Sequence, residues 1–87
     1  MYTVVITKEA LKDLPKLKSA GLSIKTKQLT SILEKNPYQT PPPYEKLVGD
    51  LKGKFSRRIN IKHRLVYTVN EESKSVKILS FWTHYEK

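Results

Sequence analysis

The chain has 87 residues, room for one domain (residues 1–87) with one modest core, since a domain of this size buries only about two-thirds of its unfolded surface. Seventeen Lys and Arg against eight Asp and Glu leave a formal net charge of +9, which points to a polyanionic partner such as nucleic acid. There is no cysteine, which excludes disulfides and thiolate metal sites, and no run approaches the roughly 18–20 apolar residues of a membrane span.

Tyr2-Thr3-Val4-Val5-Ile6 is β-branched and aromatic and predicts a strand rather than a signal peptide, so a cytoplasmic location is expected. Thr7 offers an N-cap hydroxyl, and Ala10, Leu11, Leu14 and Leu17 recur at helical spacing, predicting a helix over 8–19. Pro15 lacks an N–H and predicts a kink or an early end there. Gly21 breaks the chain, and a second helix is expected over 23–35, burying Leu29, Ile32 and Leu33 and turning Lys25, Lys27 and Lys35 to water. Residues 37–43, PYQTPPP, predict a stiff extended connector, which Tyr44-Glu45-Lys46-Leu47 leaves.

Residues 54–69, KFSRRINIKHRLVYTV, read as two strands, 54–60 and 63–69, joined through Ile61 and Lys62 as an antiparallel hairpin. A turn at 70–74 leads to a last strand, 75–83. The expected fold is therefore α+β: an N-terminal strand, a two-helix hairpin and a three-stranded antiparallel meander with the helices on one face. Alternation puts Phe55 and Ile59 towards the helices with Leu65, Tyr67 and Val69, and leaves Ser56, Arg58, Asn60 and Arg64 on the open face. In the last strand it covers Leu79 and Phe81 and brings His84 to the open side. Val76, Ile78 and Trp82 then also fall on the open face, so either a bulge changes the register or that face is partly covered.

The charge is concentrated. Between Glu45 and Arg64 seven cations meet two acids, so +5 of the +9 falls in twenty residues. Forked cations on a rigid ribbon suit phosphate. The two histidines have no partners at metal-ligand spacing, the glycines fit no phosphate loop, and no hydroxyl has a nucleophile context, so no cofactor is expected. What remains is a carboxylate before the basic hairpin, arginines on it and a histidine after it. That set suffices for metal-free RNA cleavage: a base takes the ribose 2′-OH proton, guanidinium groups hold the added charge, and an acid protonates the departing 5′-oxygen. Each residue also has a plainer reading: Glu45 as a surface carboxylate, Arg57 and Arg58 as a solvated strand face, His84 as an exposed tail residue, and Tyr67 and Trp82 as packing.

Tyr44-Glu45-Lys46-Leu47, residues 49–53 (GDLKG), Ser56-Arg57-Arg58-Ile59, His63-Arg64-Leu65-Val66-Tyr67 and His84-Tyr85 together resemble the YoeB/Txe family of toxins in the RelE-like superfamily. The match is close over residues 44–85 and holds for the helical half only by layout; the run SRRIN-x-x-HRLVY is its most specific part. The resemblance implies a RelE-like microbial RNase fold, a toxin that enters the ribosomal A site and cuts mRNA, a cognate YefM/Axe-like antitoxin, and a homodimer or toxin–antitoxin assembly. By position it implies Glu45 as general base, Arg64 as the phosphate-stabilising arginine, His84 as general acid, Arg58 as an accessory cation and Tyr85 as the tyrosine after the acid. Where the family often has a lysine three residues after the glutamate, this chain has Val48, and Lys46 and Lys52 are the candidates to replace that charge; Arg57 is a further candidate RNA contact. Two readings from other classes stand beside this one: a ParE-like gyrase poison of the same superfamily, separable by a supercoiling assay, and a non-enzymatic RNA-binding module, whose activity survives loss of Glu45 and His84.

Overall fold

The first strand, β1 (Thr3–Ile6), half-buries alternate residues and runs parallel to the last, β5 (Ser75–His84), with Val4 opposite Val76 and Ile6 opposite Ile78. In this computed structural model, residues 1–49 and 53–84 are described, except for the side chains of Thr83 and His84. β5 pairs antiparallel with β4 (His63–Asn70), β4 with β3 (Phe55–Arg58), and β3 with a two-residue strand, β2 (Glu45–Lys46). The sheet is thus mixed and five-stranded, in the order β1-β5-β4-β3-β2. The expected three-stranded antiparallel meander is present as β3-β4-β5, and the sheet is wider than expected: β1 joins it at one edge and Glu45–Lys46 at the other. A two-residue pairing is too short to leave any alternation in the sequence.

Three helical segments cover one face. α1 (Lys8–Leu11) is capped by the Thr7 hydroxyl, which accepts from the Ala10 N–H at 3.2 Å. α2 (Leu14–Ser19) follows after a break at Lys12-Asp13. The break expected at Pro15 therefore occurs, but just upstream: Pro15 sits in the first turn of α2, where its missing N–H had no helical partner to lose. At Gly21, φ is 74°, and the N–H groups of Gly21 and Leu22 close back on the carbonyls of Lys18 and Leu17. α3 (Ser23–Lys35) then buries Thr26, Leu29 and Leu33. Leu17, Leu29 and Leu33 meet Leu65, Tyr67, Val76, Ile78 and Phe81 of the sheet in one core.

β5 departs from simple alternation. Its register against β4 shifts on both sides of Val66, so Val76 and Ile78 face the helices and Phe81, three residues further on, does too. The bulge alternative was the right one, and Leu79 lies outside the core that alternation gave it. Asp13 satisfies the backbone freed at this irregularity: its Oδ2 accepts from the Phe81 N–H at 3.0 Å and from the Ser80 hydroxyl at 3.4 Å. Between β3 and β4 the turn runs over Ile59–Lys62, where Asn60 Oδ1 accepts from the N–H groups of Lys62 and His63. Beyond it, His63 is buried and stacks on Trp82, ring centroids 3.7 Å apart.

Candidate active site

Register decides which charged groups meet. Glu45 stands opposite Ser56, and Arg58 opposite Arg64, so all four project from the sheet face turned away from the helices. They line an open cleft of about 540 Å³, closed at one side by Tyr44 and at another by the Ile59–Ile61 turn. Ser56, wholly buried, forms part of its wall. Two arginines directly across a ladder repel one another. One of them is answered: Arg64 Nη1 lies 2.7 Å from Glu45 Oε1. The Arg64 side chain is 18% exposed and the Glu45 side chain 55%, so the carboxylate is open to solutes while the guanidinium is largely covered. Arg58 is exposed and makes no ion pair among the described residues. Chemically, this is a carboxylate within hydrogen-bond reach of one cation and beside a second, all facing one open cleft.

The other sequence candidates fall elsewhere. Arg57, expected to contact RNA, points to the opposite face and is 0% exposed. Its Nη1 donates to the Pro42 carbonyl at 2.7 Å, and its Nη2 to those of Pro37 and Gln39 at 2.9 and 3.0 Å. The correction follows from strand parity, since Arg57 pairs with Leu65 and Arg58 with Arg64. Lys46 pairs with Phe55, on the side of the sheet away from Glu45, and lines a separate hollow with Leu47 and Val48; it does not replace the missing lysine in this cleft. Lys52 and Tyr85 lie outside the described residues. The backbone of His84 pairs with that of His63, one position past the Arg64–Thr83 pair; the expectation for its imidazole also lies outside the described residues.

Lys25 is exposed, as expected for the solvated face of the second helix, and it also lines the cleft with Glu45, Arg58 and Arg64. Nothing in its spacing marks it. The fold sets it, at the start of α3, on the same cleft as the β3–β4 turn.

Comparison with known proteins bears on this cleft. The profile of the YoeB-like toxins of bacterial type II toxin–antitoxin systems matches residues 6–85. The chain belongs to this family. A curated relative, Toxin YoeB of Synechocystis sp. (strain ATCC 27184 / PCC 6803 / Kazusa), is 36% identical over 59 residues, which span 68% of this chain and 66% of that one, just under two thirds of the relative's length. Among solved structures, a YoeB/ParE toxin from Agrobacterium tumefaciens superposes with a TM-score of 0.84 at 27% identity, covering 95% of this chain and 99% of the other. The heterotetrameric YoeB-YefM toxin-antitoxin complex from Staphylococcus aureus gives 0.79 at 31% identity over 98% and 99% of the two chains. The YoeB dimer from the same organism gives 0.78 at 30% over 97% and 98%. This YoeB-like toxin thus shares its helix-backed sheet with its relatives along nearly the whole chain, and no helix among its described residues is long and apolar enough to cross a membrane.

Proposed function

We propose that this YoeB-like toxin is an endoribonuclease that enters the A site of the translating ribosome in the cytoplasm, cuts mRNA there and so inhibits translation. The observation that carries this reading is the Glu45–Arg64 pair at 2.7 Å, with Arg58 directly across from Arg64 on the same cleft. An incoming phosphodiester takes Arg64 from Glu45. The freed carboxylate removes the 2′-OH proton, and the resulting oxyanion attacks the adjacent phosphorus. Charge gathering on the non-bridging oxygens is held by Arg58 and Arg64. The bond to the 5′-oxygen breaks as His84, with Tyr85 beside it in the sequence, delivers a proton. The products are a 2′,3′-cyclic phosphate, or the 3′-phosphate after hydrolysis, and a 5′-hydroxyl. Lys25 contributes a further phosphate contact at the cleft wall.

With so few reacting groups, positioning carries much of the rate, so the ribosome is required and free RNA is a poor substrate. The partner that silences the toxin is a YefM/Axe-like antitoxin presenting acidic and apolar segments to the basic cleft, and the toxin itself pairs as a homodimer or within a toxin–antitoxin heteromer. Cell-free translation with primer extension tests the proposal. Defined cuts in a translated message, absent without ribosomes and absent with Glu45→Ala or His84→Ala, support it. Equal cutting of naked RNA, unchanged cutting by both variants, or inhibition of gyrase supercoiling with no cut message, ends it.

A further inference from the structure

We infer that Arg57 is a positioning residue for Glu45, setting the rate of cleavage through the connector rather than through the RNA. The inference rests on the reading of Glu45 as the base.

Glu45 is poorly held by its own strand. β2 is two residues long, on the sheet edge, and residues 36–44 before it form no helix or strand. A segment so free of ladder bonds is mobile by default. Here it is gripped from below: the Arg57 fork donates to three carbonyls along it, at Pro37, Gln39 and Pro42. The guanidinium also lies 5.1 Å from the ring centre of Tyr44, the residue immediately before Glu45. Tyr44 in turn packs edge-on to Phe55 at 5.7 Å, and Tyr67 adds a 2.8 Å hydrogen bond from its hydroxyl to the Pro37 carbonyl.

The charge is the informative part. Arg57 is fully buried, and the groups to which its fork donates are neutral carbonyls, not carboxylates. An apolar side chain fills such a space without the cost of desolvating a cation. What only a planar fork supplies is simultaneous direction of three carbonyls at fixed angles, and lysine, with one nitrogen, does not reproduce it. The connector's shape, and with it the point where Glu45 leaves for the cleft, is thereby fixed to the same strand that carries Arg58 on its other face.

The test is a double-mutant cycle on programmed ribosomes, using Arg57→Lys, Glu45→Ala and the pair, with kcat and KM measured separately. Arg57→Lys is expected to lower kcat by about 10²-fold, the cost typical of a misplacement near 1 Å, with KM unchanged. In the Glu45→Ala background it is expected to cost nothing further, because there is no base left to misplace. Amide exchange of residues 38–40 and 44–46 is expected to quicken while that of α3 and β4 stays as in wild type. Should Arg57→Lys not fold, Tyr67→Phe removes one tether of the same connector and is expected to show a smaller loss of kcat with the same non-additivity. Losses that multiply, a change in KM alone, or wild-type cleavage by Arg57→Lys overturn the inference while leaving Glu45 as the base. Full activity of Glu45→Ala overturns the base itself and the inference with it.

Discussion

Arg64 and Glu45 hold each other at 2.7 Å in the cleft, so under the proposed function the resting site has its base and its phosphate clamp engaged with one another. The pair is half open to water, and such pairs contribute about 0–1 kcal/mol to stability. Under the proposed function, displacement of the carboxylate by a phosphate therefore costs the fold little. Substituting Glu45 by Ala is expected to shift the thermal midpoint by less than about 5 °C. The same change is expected to slow cleavage on ribosomes by about 10²–10⁴-fold. A large fall in midpoint together with retained cleavage would give the pair a structural role instead.

Lys25 and Lys27 lie on the same helix, but only Lys25 lines the cleft. Binding of a short single-stranded RNA, measured in the Glu45→Ala background across a salt series, separates them. Loss of a phosphate contact lowers the slope of log affinity against log salt by about 0.7. Lys25→Ala, Arg58→Ala and Arg64→Ala are each expected to do so, and Lys27→Ala is not. Equal slopes for the two lysine variants would return Lys25 to the solvated surface.

The parts legible in the sequence were those set by local rules. Alternation put Arg58 and Arg64 on one face, a β-branched run marked β1, and Gly21 marked the turn between α2 and α3. The same alternation, anchored one register out in β5, exposed Val76 and Ile78, because a bulge is a property of two strands and leaves no trace in one. Arg57 departs from its expected place for a related reason. Parity already turned it inwards beside Phe55, but a cation inside a core is credible only once its acceptors are known, and they lie 15–20 residues earlier in the chain. Lys25 shows the remaining limit: the cleft joins a helix, a connector and a hairpin, and no spacing rule links the three.

Asp13 joins the helical layer to the irregular part of β5. Its side chain is 14% exposed, and Oδ2 accepts from the N–H of Phe81, which is itself buried. Removing the acceptor leaves that N–H unsatisfied, at a cost of about 1–3 kcal/mol. Asp13→Ala is expected to lower the thermal midpoint by roughly 5–15 °C, with faster exchange at the Phe81 amide. Asp13→Asn keeps an acceptor oxygen and is expected to recover most of the loss. Equal midpoints for wild type and Asp13→Ala would mean that the bulge does not need this partner.

Glu71 ties three separate parts of the chain together. Its carboxylate accepts from the Tyr38 hydroxyl at 2.6 Å, from the Tyr2 hydroxyl at 3.0 Å and from Lys74 Nζ at 3.0 Å. The Tyr38 hydrogen bond, then those from Lys74 and Tyr2, hold the carboxyl below its ordinary value of 4.5. Through the acid range the folded chain therefore binds fewer protons at this site than the unfolded chain. The stabilisation is complete above the ordinary glutamate value and is lost as pH falls through the lower folded value. Burial first, and then Glu71, raises the Tyr38 phenol, and Glu71 raises Lys74, so both stay protonated through neutral pH and leave the acid limb to the carboxylate. Urea midpoints of wild type and Glu71→Gln, measured from pH 7 downwards, are expected to differ by a constant amount at neutral pH and to converge below about pH 4, since the glutamine variant has no charge there to lose. Curves that remain parallel to the lowest pH would mean that the carboxylate is not what binds β1, the connector and the β4–β5 turn together.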